Sequence, residues 1–260
     1  MSQATTASGR FVWYDLMTTD LEKSIHFYSR LFGWKVKKVD MGPEIGIYHM
    51  IESDGQDIGG MVGMDEEGVP SHWIGYLSVD DVDQAADSIV REAGSLPRPP
   101  MDIPNVGRFC VAGDPGGAYF APFSFPQGQE PSQPPRSAPG HFCWNEVHVP
   151  KSSQAKCKEF YQKIIGWQTK DTDMGPMGVY TLFRRPDGQD AAGMMALPED
   201  SDQAGYWLTY IQVGSVDASV EQAEELEAET LKEASDIPNM GRFAVLRDPT
   251  GAGFALWKPA

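Results

Sequence analysis

Two side chains in this sequence stand at a spacing that suits proton transfer. Glu146 and His148 lie two residues apart in FCWNEVHV, a stretch whose aromatic and β-branched content reads as a strand. Side chains alternate along a strand, so Trp144, Glu146 and His148 share one face. A carboxylate beside an imidazole can orient or polarise it, and an ordinary imidazole pKa of about 6.5 suits acid/base work. A buried pair tying neighbouring strands together, or a strand face open to solvent, accounts for the same residues. In the matching stretch FVWYDLM the corresponding positions are Asp15 and Met17, which keep an acid and lose the imidazole. His49 is a further imidazole on a neighbouring strand. Aromatic residues form a second set: Trp13, Tyr48, Trp73 and Tyr76 correspond to Trp144, Tyr180, Trp207 and Tyr210. Indole and phenol rings suit a flat or apolar ligand, with one directed hydrogen bond from each polar tip, although core packing uses the same residues.

The elements that position these side chains are written twice. Phe27-Tyr28 recurs as Phe160-Tyr161, Gly33-Trp34 as Gly166-Trp167, and DMGP at Asp40 as DMGP at Asp173. DGQD at Asp54 returns at Asp187, IPNVGRF at Ile103 as IPNMGRF at Ile237, and Asp114-Pro115 as Asp248-Pro249. The offset stays between 131 and 134 throughout, which marks an internal duplication. Between the copies, Phe125 to Gly140 carries five prolines and little apolar pattern, the composition of a semi-rigid linker. The domains expected are 9–125 and 140–260, joined by a linker over 126–139.

Each copy contains two smaller units. A strand over 11–17 leads into Thr19-Asp20-Leu21-Glu22, which fits a capping box with Thr19 as cap. Leu21, Ile25, Tyr28 and Leu31 follow at helical spacing and Gly33 suits a left-handed cap. Short strands are expected at 34–39, 47–51 and 58–62. The pattern restarts with a strand at 73–79, a helix marked by Val82, Ala85, Ile89 and Ala93 and ended by Gly94, and strands at 108–112 and 118–123. The order is β-α-β-β-β, four times over. IPNxGRF reads as a turn entering a strand; its Arg108 and Arg242 suit an ion pair within so acidic a protein better than an anion at a binding rim.

Composition narrows the partners. Against 21 Lys and Arg stand 37 Asp and Glu, a net charge of −16 over 260 residues, which repels a phosphate backbone and argues against nucleic-acid binding. Hydrophobic residues at 41% support packed cores, but no apolar run reaches the roughly 18 residues of a membrane span. MSQATTASGR has neither the basic nor the apolar region of a secretory signal, and Cys110, Cys143 and Cys157 form no framework, so a reducing cytoplasm is expected. There is no G-x-x-x-x-G-K-[ST] and no G-x-S-x-G, and covalent serine or cysteine chemistry has no support.

The run DLEKSIHFYSRLFGW, the restart WIGYLSVDDVDQA and the closing DPGGAYF and DPTGAGF together resemble the vicinal oxygen chelate superfamily of glyoxalases, bleomycin-resistance proteins and extradiol dioxygenases. Within it the chain is most similar to tandem glyoxalase-like proteins. The resemblance covers almost the whole chain outside the linker and the first eight or so residues. It implies an α+β fold of tandem vicinal-oxygen-chelate domains, each of two βαβββ modules forming a curved, cup-like mixed sheet with helices outside.

In metal-using members, His, Gln and Glu on the first and last strands of the modules hold a divalent cation that chelates adjacent substrate oxygens. Carried over by position, those places fall on Trp13, Ile74 and Ala121 in the first copy and on Trp144, Leu208 and Ala255 in the second. None of these side chains coordinates such a cation. No histidine recurs between the copies either: His26, His49, His72, His141 and His148 match Glu159, Thr181, Tyr206, Arg10 and Met17. The expectation is therefore no metal and no other cofactor. If Trp144 occupies the inward ligand position, Glu146 and His148 face inward with it, and the second domain is the better candidate for activity.

The function expected is the binding of a small carbonyl or aromatic molecule in an aromatic-lined cup. The readings left open are a metal-independent isomerase or lyase, a sequestering or resistance protein without catalysis, and a metal-dependent glyoxalase or dioxygenase with displaced ligands. The candidate catalytic residues are Glu146, His148 and Asp15. The candidate binding residues are the eight aromatics Trp13, Tyr48, Trp73, Tyr76, Trp144, Tyr180, Trp207 and Tyr210. A small-molecule ligand, no nucleic acid, no membrane, and a monomer or homodimer complete the expectation.

Overall fold

A computed structural model describes residues 8–42, 46–65, 68–127, 129, 137–175 and 178–260. Residues 128 and 130–136 of the linker, the first seven residues and the prolines of both DMGP copies lie outside the described residues. The first copy runs β1 (Phe11–Thr18), α1 (Leu21–Phe32), β2 (Lys35–Asp40), β3 (Ile47–Ser53), β4 (Gln56–Gly63), β5 (His72–Ser78), α2 (Val82–Arg91), β6 (Ser95–Ile103), β7 (Gly107–Gly113) and β8 (Tyr119–Ser124). The second runs β9 (Phe142–Val149), α3 (Gln154–Ile165), β10 (Gln168–Asp173), β11 (Val179–Arg184), β12 (Asp190–Ala196), β13 (Tyr206–Gln212), α4 (Val216–Glu225), β14 (Glu229–Ile237), β15 (Gly241–Arg247) and β16 (Gly253–Pro259). The strands form two eight-stranded mixed sheets with the same order, β2-β3-β4-β1-β5-β8-β7-β6 and β10-β11-β12-β9-β13-β16-β15-β14. This is the tandem α+β architecture of four βαβββ modules.

Local structure departs from the sequence reading at three places. Asp20, not Thr19, caps α1: its side chain accepts from the Lys23 amide, while the Thr19 hydroxyl turns to Ser71 at 3.2 Å. An Asp at the cap adds a negative charge at the positive end of the helix, which a threonine does not. After α2 the left-handed residue is Ala93 (φ 62°), and Gly94 follows it in an ordinary conformation. Gly94 is needed for space, because a Cβ there would sit 2.8 Å from the Gly113 carbonyl and the Ile89 side chain. Finally, SLPRPPMDI is a strand despite three prolines. It is an edge strand, where a proline without an N–H forfeits no ladder bond, and its pairing with β7 shifts register twice around them.

The chain packs as two compact units that do not follow the sequence halves. One takes in the described residues of Met1–Val12, Gly75–Pro134 and Asn145–Trp207, the other those of Trp13–Ile74, Pro135–Trp144 and Leu208–Ala260. In the first unit, fully enclosed Tyr161 of α3 donates to Asp114 Oδ2 at 2.9 Å and accepts from the Trp207 indole at 3.1 Å. Asp114 Oδ1 accepts from the Gly116 and Ala118 amides at 2.8 and 2.9 Å, closing the Asp-Pro turn before β8. Burial, then the Asp114 charge, pushes the Tyr161 phenol well above its usual pKa, so it stays a donor. Trp167 holds the Gly9 carbonyl at 2.9 Å.

The second unit repeats the plan. Tyr28 of α1 accepts from the Trp73 indole at 2.9 Å, stacks on Trp34 with centroids 5.5 Å apart, and lies beside Asp248, whose Oδ1 closes the turn before β16. Trp34 grips the Gly140 carbonyl at 2.7 Å. Arg108 lies between Asp83 and Asp102 in the first unit, and Arg242 between Asp217 and Asp236 in the second, with N···O distances of 2.7–3.0 Å. Both arginines thus make the ion pairs their setting suggested. Among the described residues no helix is long and apolar enough to cross a membrane.

Tyr161→Phe leaves the Asp114 carboxylate and the Trp207 indole short of a partner in an enclosed site, at about 1–3 kcal/mol for each orphaned group. Chemical unfolding should show that loss, whereas Tyr119→Phe, at a residue 51% exposed, should change stability by less than about 0.5 kcal/mol.

Candidate functional site

In β9, Val147 and Val149 are fully buried, which turns Glu146 and His148 to the opposite face. β12 runs parallel beside them, with Gly193 paired to Glu146 and Met195 to His148. β11 adds Leu182 opposite Gly193, and Tyr180, two residues earlier, shares that face. The Tyr180 hydroxyl and ring occupy the space a Cβ on Gly193 would fill, so this glycine is the seat that lays the phenol across the strand beside Glu146.

His148 Nε2 lies 2.9 Å from Glu146 Oε1, with the two side chains 18% and 10% exposed. The approach meets ion-pair distance but misses hydrogen-bond angles, and Nε2 is enclosed without a hydrogen-bonded partner among the described residues. The imidazole stacks on Tyr206, with centroids 5.0 Å apart and planes 10° from parallel. Burial, and then the Glu146 charge, raises the Tyr206 pKa and keeps that phenol protonated.

The equivalent face in the other unit has a different chemistry. Asp15 pairs with Gly60 and Met17 with Val62 across β1 and β4. The Trp13 indole donates to Tyr48 Oη at 2.8 Å and to Asp15 Oδ1 at 3.2 Å, and Tyr48 donates to the same carboxylate oxygen. Gly60 is the seat for Tyr48, as Gly193 is for Tyr180. His49 does not join them. It follows Tyr48 in β3 and so faces the other way, paired with fully buried Met61 in the core, where burial lowers its pKa.

Of the eight aromatic positions, Trp73 and Trp207 are on the helix side of their strands, bonded to Tyr28 and Tyr161, and do not share a face with Ile74 or Leu208. Tyr76 lies over Ala121 and next to Phe109 at 5.7 Å; Tyr210 pairs with Ala255, 6.5 Å from Phe243. Trp144 is half-buried. Tyr206 was not among the residues singled out from the sequence. The signal was there: once Leu208 is placed on the inward face, strand alternation puts Tyr206, and not Trp207, beside it.

The positions where the fold family places metal donors hold Trp13, Ile74, Ala121, Trp144, Leu208 and Ala255, and Ile74, Leu208 and both alanines are buried. Among the described residues no group of three or more His, Cys, Asp or Glu side chains converges to hold an ion. The donor set does not fit the family's divalent cation.

The family is settled by comparison. The model of the Glyoxalase/Bleomycin resistance protein/Dioxygenase superfamily matches residues 10–121 and 141–256, and the chain belongs to that superfamily. A protein of Mycobacterium bovis named as a candidate glyoxylase, CFP32, is 31% identical over 95% of this chain and 94% of its own. The anthracycline biosynthesis protein DnrV of Streptomyces peucetius is 30% identical over 96% of this chain and 93% of its own. Among solved structures, the Mn(II)-bound glyoxalase from Novosphingobium aromaticivorans shares the fold, with a TM-score of 0.61 at 15% identity over 98% of this chain and 83% of that one.

Gly193→Ala should displace Tyr180 and destabilise the protein by about 1–3 kcal/mol, as overpacking does. Adding Tyr180→Ala should recover most of that loss. A double-mutant cycle in urea checks the coupling, and simple additivity would refute the seat.

Proposed function

We propose that this chain binds a small organic molecule bearing a carbonyl group, with an aromatic or otherwise flat body, and moves a proton on it without a metal ion. The observation that carries the reading is the Glu146–His148 pair: a carboxylate 2.9 Å from an imidazole nitrogen that finds no better partner. Glu146 stands against Nε2, and the remaining nitrogen, Nδ1, exchanges a proton with the ligand. Asp15 in the other unit is the matching acid. The reaction class is that of an isomerase or lyase of glyoxalase-like type. The names of the relatives, one as a glyoxylase and one in anthracycline biosynthesis, are consistent with carbonyl-bearing and flat aromatic ligands.

Trp13, Tyr48, Tyr76, Trp144, Tyr180 and Tyr210 are the aromatic residues we assign to ligand contact, and Trp73 and Trp207 support them from the core. A second reading, binding without chemistry, is favoured at Asp15. There Trp13 and Tyr48 both donate to the carboxylate, and Met17 replaces the imidazole. The three cysteines suit a reducing cytoplasm: burial pushes the Cys110 and Cys143 thiols up to about 12 and raises Cys157 as well, which leaves all three unreactive.

Two measurements test the reading. Protein purified without chelator should carry far less than one equivalent of Fe, Mn, Ni or Zn; a stoichiometric metal overturns metal independence. In a thermal-shift screen of ketones and flat aromatics, a ligand at a hundred times its Kd should add about 2.7 kcal/mol of stability. Turnover of a hit should fall about 10²–10⁴-fold in Glu146→Gln and His148→Ala, the usual contribution of a general acid/base. Full turnover in both variants would remove the proton-transfer role and leave a binding protein.

A further inference from the structure

Proton abstraction next to a carbonyl places negative charge on the carbonyl oxygen, and something must stabilise it. In this fold family a divalent cation does so, and the donor set here does not fit one. The requirement passes to a neutral donor near the base. A phenol kept protonated is suited to that task.

Tyr206 is that phenol. Its ring lies against His148, with centroids 5.0 Å apart and planes nearly parallel. Among the described residues its hydroxyl makes no hydrogen bond; the interactions it has are the stack with His148 and the field of Glu146. Burial and that field hold it in the donor form. Tyr180, the other phenol on this face, is engaged within the protein and laid over Gly193. The facing of Tyr206 is also enforced, because Trp207 is tied to Tyr161 on the opposite side of the strand.

We propose that Tyr206 is a catalytic residue that donates a hydrogen bond to the enolate oxygen of a ketone substrate, in place of a metal ion. The proposal rests on the proton-transfer reading of Glu146 and His148. His148 Nδ1 takes the proton from the carbon beside the carbonyl. The C–H bonding pair becomes the enolate, whose charge resides on oxygen against the Tyr206 hydroxyl. The imidazolium is balanced by Glu146 through Nε2, and return of the proton to carbon regenerates the carbonyl compound. No redox partner or leaving group is required.

The test follows the α-protons of 2-indanone, a flat aromatic ketone, by proton NMR in D2O with the full-length chain. Wild type should exchange them faster than His148→Ala and Glu146→Gln. Tyr206→Phe, which keeps the stacked ring, should lower kcat about 10²–10³-fold, as loss of one oxyanion donor does, with KM within about threefold. Its thermal midpoint should stay at the wild-type value, while Tyr206→Leu, which removes the stacked ring, should lower it. Wild-type exchange in Tyr206→Phe overturns the proposal and leaves Tyr206 as a platform for the imidazole. Wild-type exchange no faster than His148→Ala overturns the underlying proton-transfer reading and this role with it.

Discussion

A phenol sealed away from water has to find its hydrogen bonds inside the protein, and the site on β9 depends on how Tyr161 does so. Its hydroxyl donates to the aspartate that closes the turn before β8 and accepts from the Trp207 indole on β13. That second bond fixes which way β13 faces. With Trp207 held on the helix side, Tyr206 and Leu208 must turn to the other face, and Tyr206 meets the ring of His148 there. A slip of one residue would bring Trp207 to the imidazole and bury Tyr206 against the helix. The core hydrogen bond and the candidate acid/base cluster are two sides of one register choice.

The duplication keeps this frame and changes what it carries. Tyr28 and Trp73 repeat Tyr161 and Trp207, and Gly60 repeats Gly193 as the seat for a tyrosine. On the face away from the helices the copies differ. Asp15 takes hydrogen bonds from Trp13 and Tyr48, and the residue two further along is Met17. Glu146, longer by one methylene, stands within 2.9 Å of an imidazole. Packing constrains the helix-facing positions strongly, since each change there orphans a buried group or opens a cavity. On the opposite face each carboxylate is also buried, at 5% exposure for Asp15 and 7% for Glu146, and the copies differ in the residue two positions on, Met17 or His148.

Several elements were legible in the sequence and several were not. Four βαβββ modules follow from the repeat and from alternation. The strand SLPRPPMDI is not legible in the sequence, because proline reads as a strand breaker and only the fold puts this strand at a sheet edge. Thr19 and Asp20 both have cap chemistry, and only the chain path selects Asp20. By residue type Trp73 and Trp207 match the inward aromatics, but residue type does not report facing, and both indoles bond to helix tyrosines.

The sequence by itself determined the modules and the proximity of Glu146 and His148 along one strand face, since each depends on residue identity and short-range spacing. Tertiary structure alone decided that the compact units draw on both copies, that His49 faces the core, and that Tyr206 completes the group at His148. Those outcomes turn on which side of a strand is sealed by a helix. Partners far away in the chain settle that, through hydrogen bonds such as Trp207 to Tyr161 and Trp34 to Gly140 that no local pattern encodes.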